Sequence, residues 1–363
     1  MTARDAAIDA GYMRRALALA RNGWGTTAPN PMVGAVVVRE GEVVGEGYHA
    51  RFGGPHAERV ALDAAGHRAR AATLYVTLEP CTHHGKQPPC VDAVIAAGVA
   101  RVVVAARDPN PVAGGGVERL REAGLTVDVG PGDAAARELN AAFYHAFVSD
   151  RPFVTLKLAV SVDGAIADAA RSHGWLTGPV SRQEVHRLRA GYDAIAVGVG
   201  TALADDPRLT VRGAIVPRVP PVRVVFDRQA RLPLASQLAR SAREVPTLVV
   251  VGTGAPSDRV DRLQAAGVEI VHAADTCAAL RALRRRELRS LFVEGGAGLA
   301  GAMIADGVVD RMIIFQAPIV LGAGALGAFS AVPGFSLENA RRLRVVHHEL
   351  LGDDQMTVYA FGR

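Results

Sequence analysis

Four side chains in the first hundred residues combine metal-ligand chemistry with a proton carrier. They lie in Pro55-His56-Ala57-Glu58, Glu79-Pro80-Cys81 and Pro88-Pro89-Cys90. Neutral imidazole and thiolate are ligands that suit zinc, and three of them leave the fourth tetrahedral position open for water. His56, Cys81 and Cys90 are therefore candidate ligands. Glu58 stands two residues beyond the histidine, where it can reach that water without binding the metal. A metal that activates water beside a carboxyl group that moves its proton is hydrolytic chemistry.

Two other readings use the same cysteines. A disulfide suits an oxidising compartment, but the chain has only three cysteines, the third being Cys277. It also lacks an apolar N-terminal signal segment. That points to a reducing cytoplasm, where paired cysteines mean metal or catalysis. A closed zinc knuckle needs a fourth ligand, which His83 or His84 could supply. The order His-x-Glu, then Pro-Cys, then Cys favours the open site. Zinc deaminases use that constellation, with the glutamate as general acid and base. Eight residues, 82–89, separate the two cysteines here, where the common nucleobase-deaminase pattern has two. Cys277 falls in a helical run after an Asp-Thr start and is expected to be a small buried apolar residue.

The elements that must position these groups alternate between helix and strand. Helical spacing covers 9–22. The β-branched run 33–38 and a second strand from Val43, joined by the charged residues 39–42, read as a hairpin. A helix from His56 to Ala65 puts His56 and Glu58 in its first turn. A strand at 73–78 delivers Cys81, a helix at 90–97 begins with Cys90 and is closed by Gly98, and a strand follows at 102–105. The chemical residues thus lie where strands feed helix N-termini, whose partial positive charge favours thiolate. A helix is expected over 133–147. Ser149-Asp150-Arg151-Pro152 then breaks the pattern and a strand begins at Phe153. Further strands are expected near 193–199, 222–227, 247–251, 290–294 and 311–316, with helices between them. Two α/β domains, 1–148 and 149–363, follow from this pattern.

At 363 residues the chain exceeds one ordinary core, and 49% apolar content is ample for two. No run of 18 apolar residues predicts a membrane span. The net charge of +5 suits an anionic small molecule, but its arginines are dispersed and nucleic acid is not required. Two glycine patterns have the G-x-G-x-x-G form, at 296–301 and at 322–327. The first follows a strand and opens a helix, the context in which backbone amides hold a phosphate. With 39 glycines, tight turns explain either pattern as well.

Beyond these patterns, residues 29–116 resemble the deaminase half of the bifunctional riboflavin-biosynthesis deaminase–reductase family. The matching segments are Asn30-Pro31 with Val33-Gly34, Gly47-Tyr48-His49, Gly54-Pro55-His56-Ala57-Glu58, Glu79-Pro80-Cys81-Thr82-His83-His84-Gly85, Pro88-Pro89-Cys90 and Asp108-Pro109-Asn110-Pro111. Residues 151–324 resemble the reductase half through 158–164, Trp175-Leu176-Thr177, His186-Arg187-Leu188-Arg189, Gly198-Val199-Gly200-Thr201, 203–212 and Glu294-Gly295-Gly296. The resemblance implies an α/β chain in which a cytidine-deaminase-like three-layer domain precedes a dihydrofolate-reductase-like domain. It implies Zn2+ and NADPH as cofactors and a phosphorylated pyrimidine as substrate. Two steps are implied: hydrolytic removal of the 2-amino group of 2,5-diamino-6-ribosylamino-4(3H)-pyrimidinone 5′-phosphate, then reduction of its ribosyl group to ribityl. Self-association is implied as well.

Residue by residue, the resemblance places Asn30, His49 and His83 near the pyrimidine. It places Ala159, Trp175, Thr201, Asp205 and the loop Gly296, Ala297, Gly298, Leu299, Ala300, Gly301 and Ala302 against NADPH. Arg189, Leu209, Arg212, Glu294 and the position of His173 would face the reductase substrate. His173 stands where the family has serine, and Ala297-Gly298 stands for its commoner Pro-Thr. Two alternatives use the same residues: a nucleotide or tRNA deaminase with a non-catalytic NADPH-binding accessory domain, and a regulatory zinc or NADPH binder. The first predicts a surface rich in aromatic residues and lysine, but aromatic content is 5%. The second predicts loss of Glu58 or of the open metal position.

Overall fold

The computed structural model describes residues 3–172, 174–334 and 336–362. They form two compact units, residues 1–148 and 149–363. The first unit runs α1 (Ala3–Ala20), β1 (Gly34–Arg39), β2 (Glu42–Tyr48), α2 (Ala57–Ala65), β3 (Thr73–Leu78), α3 (Cys90–Ala97), β4 (Arg101–Ala106), α4 (Gly116–Glu122), β5 (Thr126–Val129), α5 (Asp133–Leu139) and α6 (Ala141–His145). Its sheet has the order β2-β1-β3-β4-β5. β1 is antiparallel to both β2 and β3, and β3, β4 and β5 are parallel.

The valine runs of β1 and β4 are buried on both faces, which is why they read as continuous rather than alternating. On one face Val37, Val76 and Val104 pack with Ala61 and Leu62 of α2 and Val91 and Val94 of α3. On the other, Val36, Tyr75 and Val103 pack with Met13 and Ala16 of α1 and Ala136 of α5. Helices, sheet and helices make three layers. Close approach of α2 to β2 requires Gly47, where a Cβ would stand 2.7 Å from the Ala57 carbonyl oxygen.

The helix expected over 133–147 is two helices. The chain breaks at Asn140, with φ −108° and ψ 30°. The cause is tertiary. Met32 N–H donates to Asn140 Oδ1 at 2.8 Å, and Asn140 Nδ2 donates to Met32 O at 2.9 Å. The amide thereby acts as a strand partner for the loop that carries Asn30.

The second unit contains β6 (Phe153–Val160), β7 (Ala165–Ala167), α7 (Pro179–Arg189), β8 (Ala194–Gly198), α8 (Val199–Asp205), β9 (Val222–Phe226), α9 (Gln237–Arg240), β10 (Thr247–Val251), α10 (Ser257–Ala265), β11 (Glu269–His272), α11 (Thr276–Arg284), β12 (Ser290–Val293), α12 (Ala297–Ala305), β13 (Arg311–Gln316), β14 (Leu326–Gly327), β15 (Leu343–Leu351) and β16 (Asp354–Phe361). The nine-stranded sheet has the order β11-β10-β9-β8-β12-β6-β13-β16-β15. The seven strands from β11 to β13 are parallel, and β16 and β15 extend them antiparallel. β12 returns to lie between β8 and β6, so the strand order reverses there. In open α/β sheets the crevice beyond the strand carboxyl ends at such a reversal is where ligands bind. β7 and β14 pair apart from the main sheet. Cys277 lies in α11, half-buried against the core, and Asp275 caps that helix by accepting Ala278 N–H at 2.7 Å. No described helix is long and apolar enough to cross a membrane.

Candidate active sites

In the first unit three backbone junctions meet. His56 is the N-cap residue of α2, Cys81 follows β3, and Cys90 opens α3. His56 Nδ1 lies 3.2 Å from Cys90 Sγ and 3.6 Å from Cys81 Sγ. All three ligand atoms lie within 4.8 Å of one another. Tetrahedral zinc with ordinary Zn–N and Zn–S lengths separates such atoms by about 3.5 Å. The Cys90 thiol hydrogen-bonds to the Cys81 sulfur and His56 adds a second bond, so Cys81 holds its proton loosely. Cys90 holds its own tightly, because it would ionise beside that thiolate and out of water. A cation is what lets both be thiolates. Donor types, spacing and charge therefore fit zinc.

Glu58 is only 3% exposed. Burial pushes its carboxyl up to about 7, against the pull of His56. It lines a cavity of about 270 Å³ together with Asn30, His49, His56, Cys81 and His83. His49 is buried. Its Nδ1–H donates to Pro55 O at 3.0 Å, which leaves Nε2 to accept from Asn30 Nδ2 at 3.2 Å. Burial lowers its pKa, so the ring is neutral. His83 Nδ1 is buried without a partner among the described residues.

The same cavity holds residues to which sequence reasoning gave no role: Lys86, Asp108, Asn110 and Phe143. Lys86 Nζ lies 4.4 Å from the centroid of the Phe52 ring. Burial pushes Asp108 up to about 6, although the Asn110 amide donates to it at 2.8 Å. Glu79 organises this wall from behind: its carboxylate accepts Asp108 N–H at 3.1 Å and Val117 N–H at 3.0 Å. Asp108 and Asn110 lie in Asp108-Pro109-Asn110-Pro111, and polar residues in a Pro-rich loop after a strand were the available signal. Phe143 had none, because the Asn140 break brings it there.

In the second unit, Arg189 of α7 forms a two-point ion pair with Glu294, which directly follows β12, at 2.5 and 3.0 Å. Its remaining nitrogen donates to Thr210 O at 2.9 Å. The donors named here, on all three guanidinium nitrogens, are used inside the protein. Burial alone would raise the Glu294 carboxyl, but Arg189 and Lys157 hold it below the ordinary value. Lys157 of β6 was missed. Burial lowers its pKa, Glu294 opposes that, and Nζ lies 5.6 Å from the centroid of the Phe315 ring. A lone lysine in an apolar strand carries no spacing signal.

The remaining expected contacts divide. Thr201 and Gly296 adjoin, since a Cβ on Gly296 would stand 3.4 Å from Thr201 Oγ1, and Gly198 meets Leu299 in the same way. The starts of α8 and α12 thus come together around small residues, with Gly298 and Ala302 exposed. Ala297 is buried and Ala159 half-buried. Ala300 is a core residue, and Gly301 is there because a Cβ would lie 2.6 Å from Ala331 O. These two face the interior, as the helical period requires. Leu209 is likewise turned inward, 3% exposed, with φ +49°. Arg212 is exposed, and its N–H donates to His186 Nδ1 at 3.2 Å. Asp205 is exposed at the end of α8. Trp175 is 77% exposed, with the Arg182 guanidinium 5.4 Å from its ring centroid. His173 lies outside the described residues.

Residues 7–106 match the family model of the cytidine and deoxycytidylate deaminase zinc-binding region, and residues 152–357 match that of the RibD C-terminal domain. The riboflavin biosynthesis protein RibD of Aquifex aeolicus is 44% identical over 352 residues, covering 96% of this chain and 97% of that protein. The chain belongs to the RibD family. RibD of Escherichia coli is 42% identical over 335 residues, covering 89% of this chain and 91% of its own. RibD of Acinetobacter baumannii superposes with a TM-score of 0.83 at 35% identity, covering 99% and 100% of the two chains. The Thermotoga maritima structure described as a diaminohydroxyphosphoribosylaminopyrimidine deaminase/5-amino-6-(5-phosphoribosylamino)uracil reductase gives 0.81 at 36% identity, covering 99% and 100%. This RibD-family chain is a deaminase and reductase of riboflavin biosynthesis, a hydrolase joined to an oxidoreductase. Its first unit has the cytidine-deaminase-like fold and its second the RibD reductase fold. The reading as a deaminase with a non-catalytic accessory domain is not favoured, because the second unit matches the RibD reductase model over nearly its whole length.

Proposed function

We infer that residues 1–148 deaminate the 2-amino group of 2,5-diamino-6-ribosylamino-4(3H)-pyrimidinone 5′-phosphate, and that residues 149–363 reduce its ribosyl group with NADPH. The observation that carries the first half is the open ligand set His56, Cys81 and Cys90 beside buried Glu58 in one cavity. Zinc held there supplies Lewis acidity for the attack of water. Glu58 takes the proton from that water and delivers it to the departing amine. A carboxyl held near neutrality suits both transfers. Asn30 and neutral His49 form one polar wall, and His83, Asp108 and Asn110 form the other. The unpartnered His83 Nδ1 is placed to meet a polar group of the base. Lys86 is the one lysine or arginine among the described lining residues and is assigned to the substrate phosphate.

In the second half, the starts of α8 and α12 offer amides and small residues to the cofactor phosphates, with Thr201, Gly296 and Gly298 in contact. NADPH supplies the hydride when bound. Glu294, oriented by Arg189, accepts hydrogen bonds from the substrate, and Lys157 adds a positive charge beside it. Arg212, which is exposed, is assigned to the substrate phosphate. The reading includes a cytoplasmic homo-oligomer.

The test is the mass and ultraviolet spectrum of the product formed from the diaminopyrimidinone phosphate, with and without NADPH. Without it, the product should show exchange of one amino group for oxygen. With it, the product should gain two further hydrogens. Unchanged substrate in both reactions would reject the assignment.

A further inference from the structure

Two sequence motifs have no part in the chemistry above: Ser161-Val162-Asp163-Gly164, and the second glycine pattern at 322–327. The fold brings them together. β6 and β13 are parallel neighbours with Gln316 opposite Val160, so both chains leave the sheet at its carboxyl edge. Ala159, the expected cofactor neighbour, lies beside Phe315 at that edge.

Beyond the edge the two segments are joined by backbone and by one carboxylate. Ala317 N–H donates to Val160 O at 2.8 Å, and Val162 N–H donates to Ile319 O at 2.7 Å. Asp163 accepts N–H bonds from Leu321 at 3.1 Å and Gly322 at 2.8 Å, and the Ser161 hydroxyl at 2.6 Å. Gly322 and Gly324 have φ +73° and +81°, a turn that side chains resist. The glycine pattern therefore forms a tight turn anchored by Asp163. Val162, and Val320 just before the turn, are 55% and 72% exposed, on two segments held side by side.

We propose that Asp163 is a positioning residue of the reductase, clamping segment 319–324 so that Val162 and Val320 cover the nicotinamide end of bound NADPH. This rests on the cofactor reading above. The side is chosen by topology: Glu294 and Arg189 lie across β6 at β12 and α7, whereas the clamped segment continues β13 next to Ala159. The Ser161 hydroxyl and the two amides also hold the Asp163 carboxyl down to about 2, so the clamp stays charged throughout the neutral range.

The experiment measures reductase kinetics, deaminase activity and amide hydrogen exchange on full-length Asp163→Asn, Asp163→Ala and Val320→Ser. Charge-assisted bonds of this kind predict a rise in KM for NADPH of about tenfold in Asp163→Asn and up to about a hundredfold in Asp163→Ala. The Leu321 and Gly322 amides should exchange faster in both, and deamination should stay within about twofold. Val320→Ser changes an exposed side chain, so folding is not at issue. It should raise KM for NADPH about three- to tenfold through lost apolar cover. NADPH kinetics unchanged in Asp163→Ala and Val320→Ser would overturn the clamp, as would a parallel loss of both activities in the Asp163 variants. An unmodified protein that fails to oxidise NADPH would instead overturn the cofactor reading.

Discussion

The two sites are built in opposite ways. In the first unit the chemistry is local: His56, Cys81 and Cys90 each sit where a loop enters or leaves one of three adjoining elements. Their residue types point to the chemistry, because three imidazole and thiolate ligands leave one tetrahedral position of a zinc ion open. In the second unit the site is made by non-local pairs. Arg189 meets Glu294 across 105 positions, and Lys157 comes from a third element. None of these residue types is diagnostic alone. A site that holds a metal reveals itself through the few residue types able to ligate it. A site that holds an organic cofactor and orients a substrate reveals itself through the fold.

The largest effect should come from breaking the local site. Cys90→Ser should lose zinc, read by metal analysis, and lose deamination to below detection while NADPH-dependent reduction of already deaminated substrate persists. Stoichiometric zinc in that variant would remove Cys90 from the ligand set. Next, Glu58→Gln should keep zinc but slow deamination by about 10²–10⁴-fold, the range of general acid–base catalysis.

The same variant carries a pH signature in metal-free protein. Burial raises the Glu58 carboxyl from 4.5 to about 7. The protonated form is therefore the one that the fold accepts, and stability falls as pH rises between those values. Glu58→Gln should stabilise the metal-free protein by an amount growing from pH 4.5 to 7 and levelling beyond, roughly 3 kcal/mol at most. Thermal melts across that range would show it. A constant difference would mean that Glu58 is not desolvated.

In the second unit, Arg189→Met should destabilise the fold by about 3–5 kcal/mol, since it leaves the Glu294 carboxylate buried without its partner. Urea midpoints would show a loss confined to this unit's transition. Glu294→Gln with Arg189→Met should recover part of it, since the buried carboxylate is then neutral. The smallest effect is that of exposed Arg212. Arg212→Ala should raise KM for the phosphorylated substrate about tenfold through loss of one charge-assisted contact, with little change for NADPH. The reverse pattern would assign this arginine to the cofactor.

Much of this was legible in the chain. The strand at 247–251 was readable because its β-branched run is buried throughout, and those at 73–78 and 311–316 because each has an apolar centre between polar ends. The helix at 90–97 was readable because Gly98 ends it. Asn140 was not readable, because its amide stops a helix only by reaching Met32, 108 positions away. The α4–β5 pair was missed among polar and glycine-rich residues, and the hairpin of β15 and β16 because its outer strand is largely exposed.

Residue type and order alone singled out the candidate metal ligands and the candidate proton carrier, the two α/β units and the strand–helix junctions that bear those ligands. These depend on covalent chemistry and on contacts between near neighbours. Tertiary structure alone decided that Arg189 is spent on Glu294, that Ala300, Gly301 and Leu209 face the core, that Phe143 reaches the deaminase cavity, and that Lys157 stands beside a carboxylate. Each of these is a matter of burial and distance between remote segments, and a side chain's charge or apolarity does not say which segment it will meet.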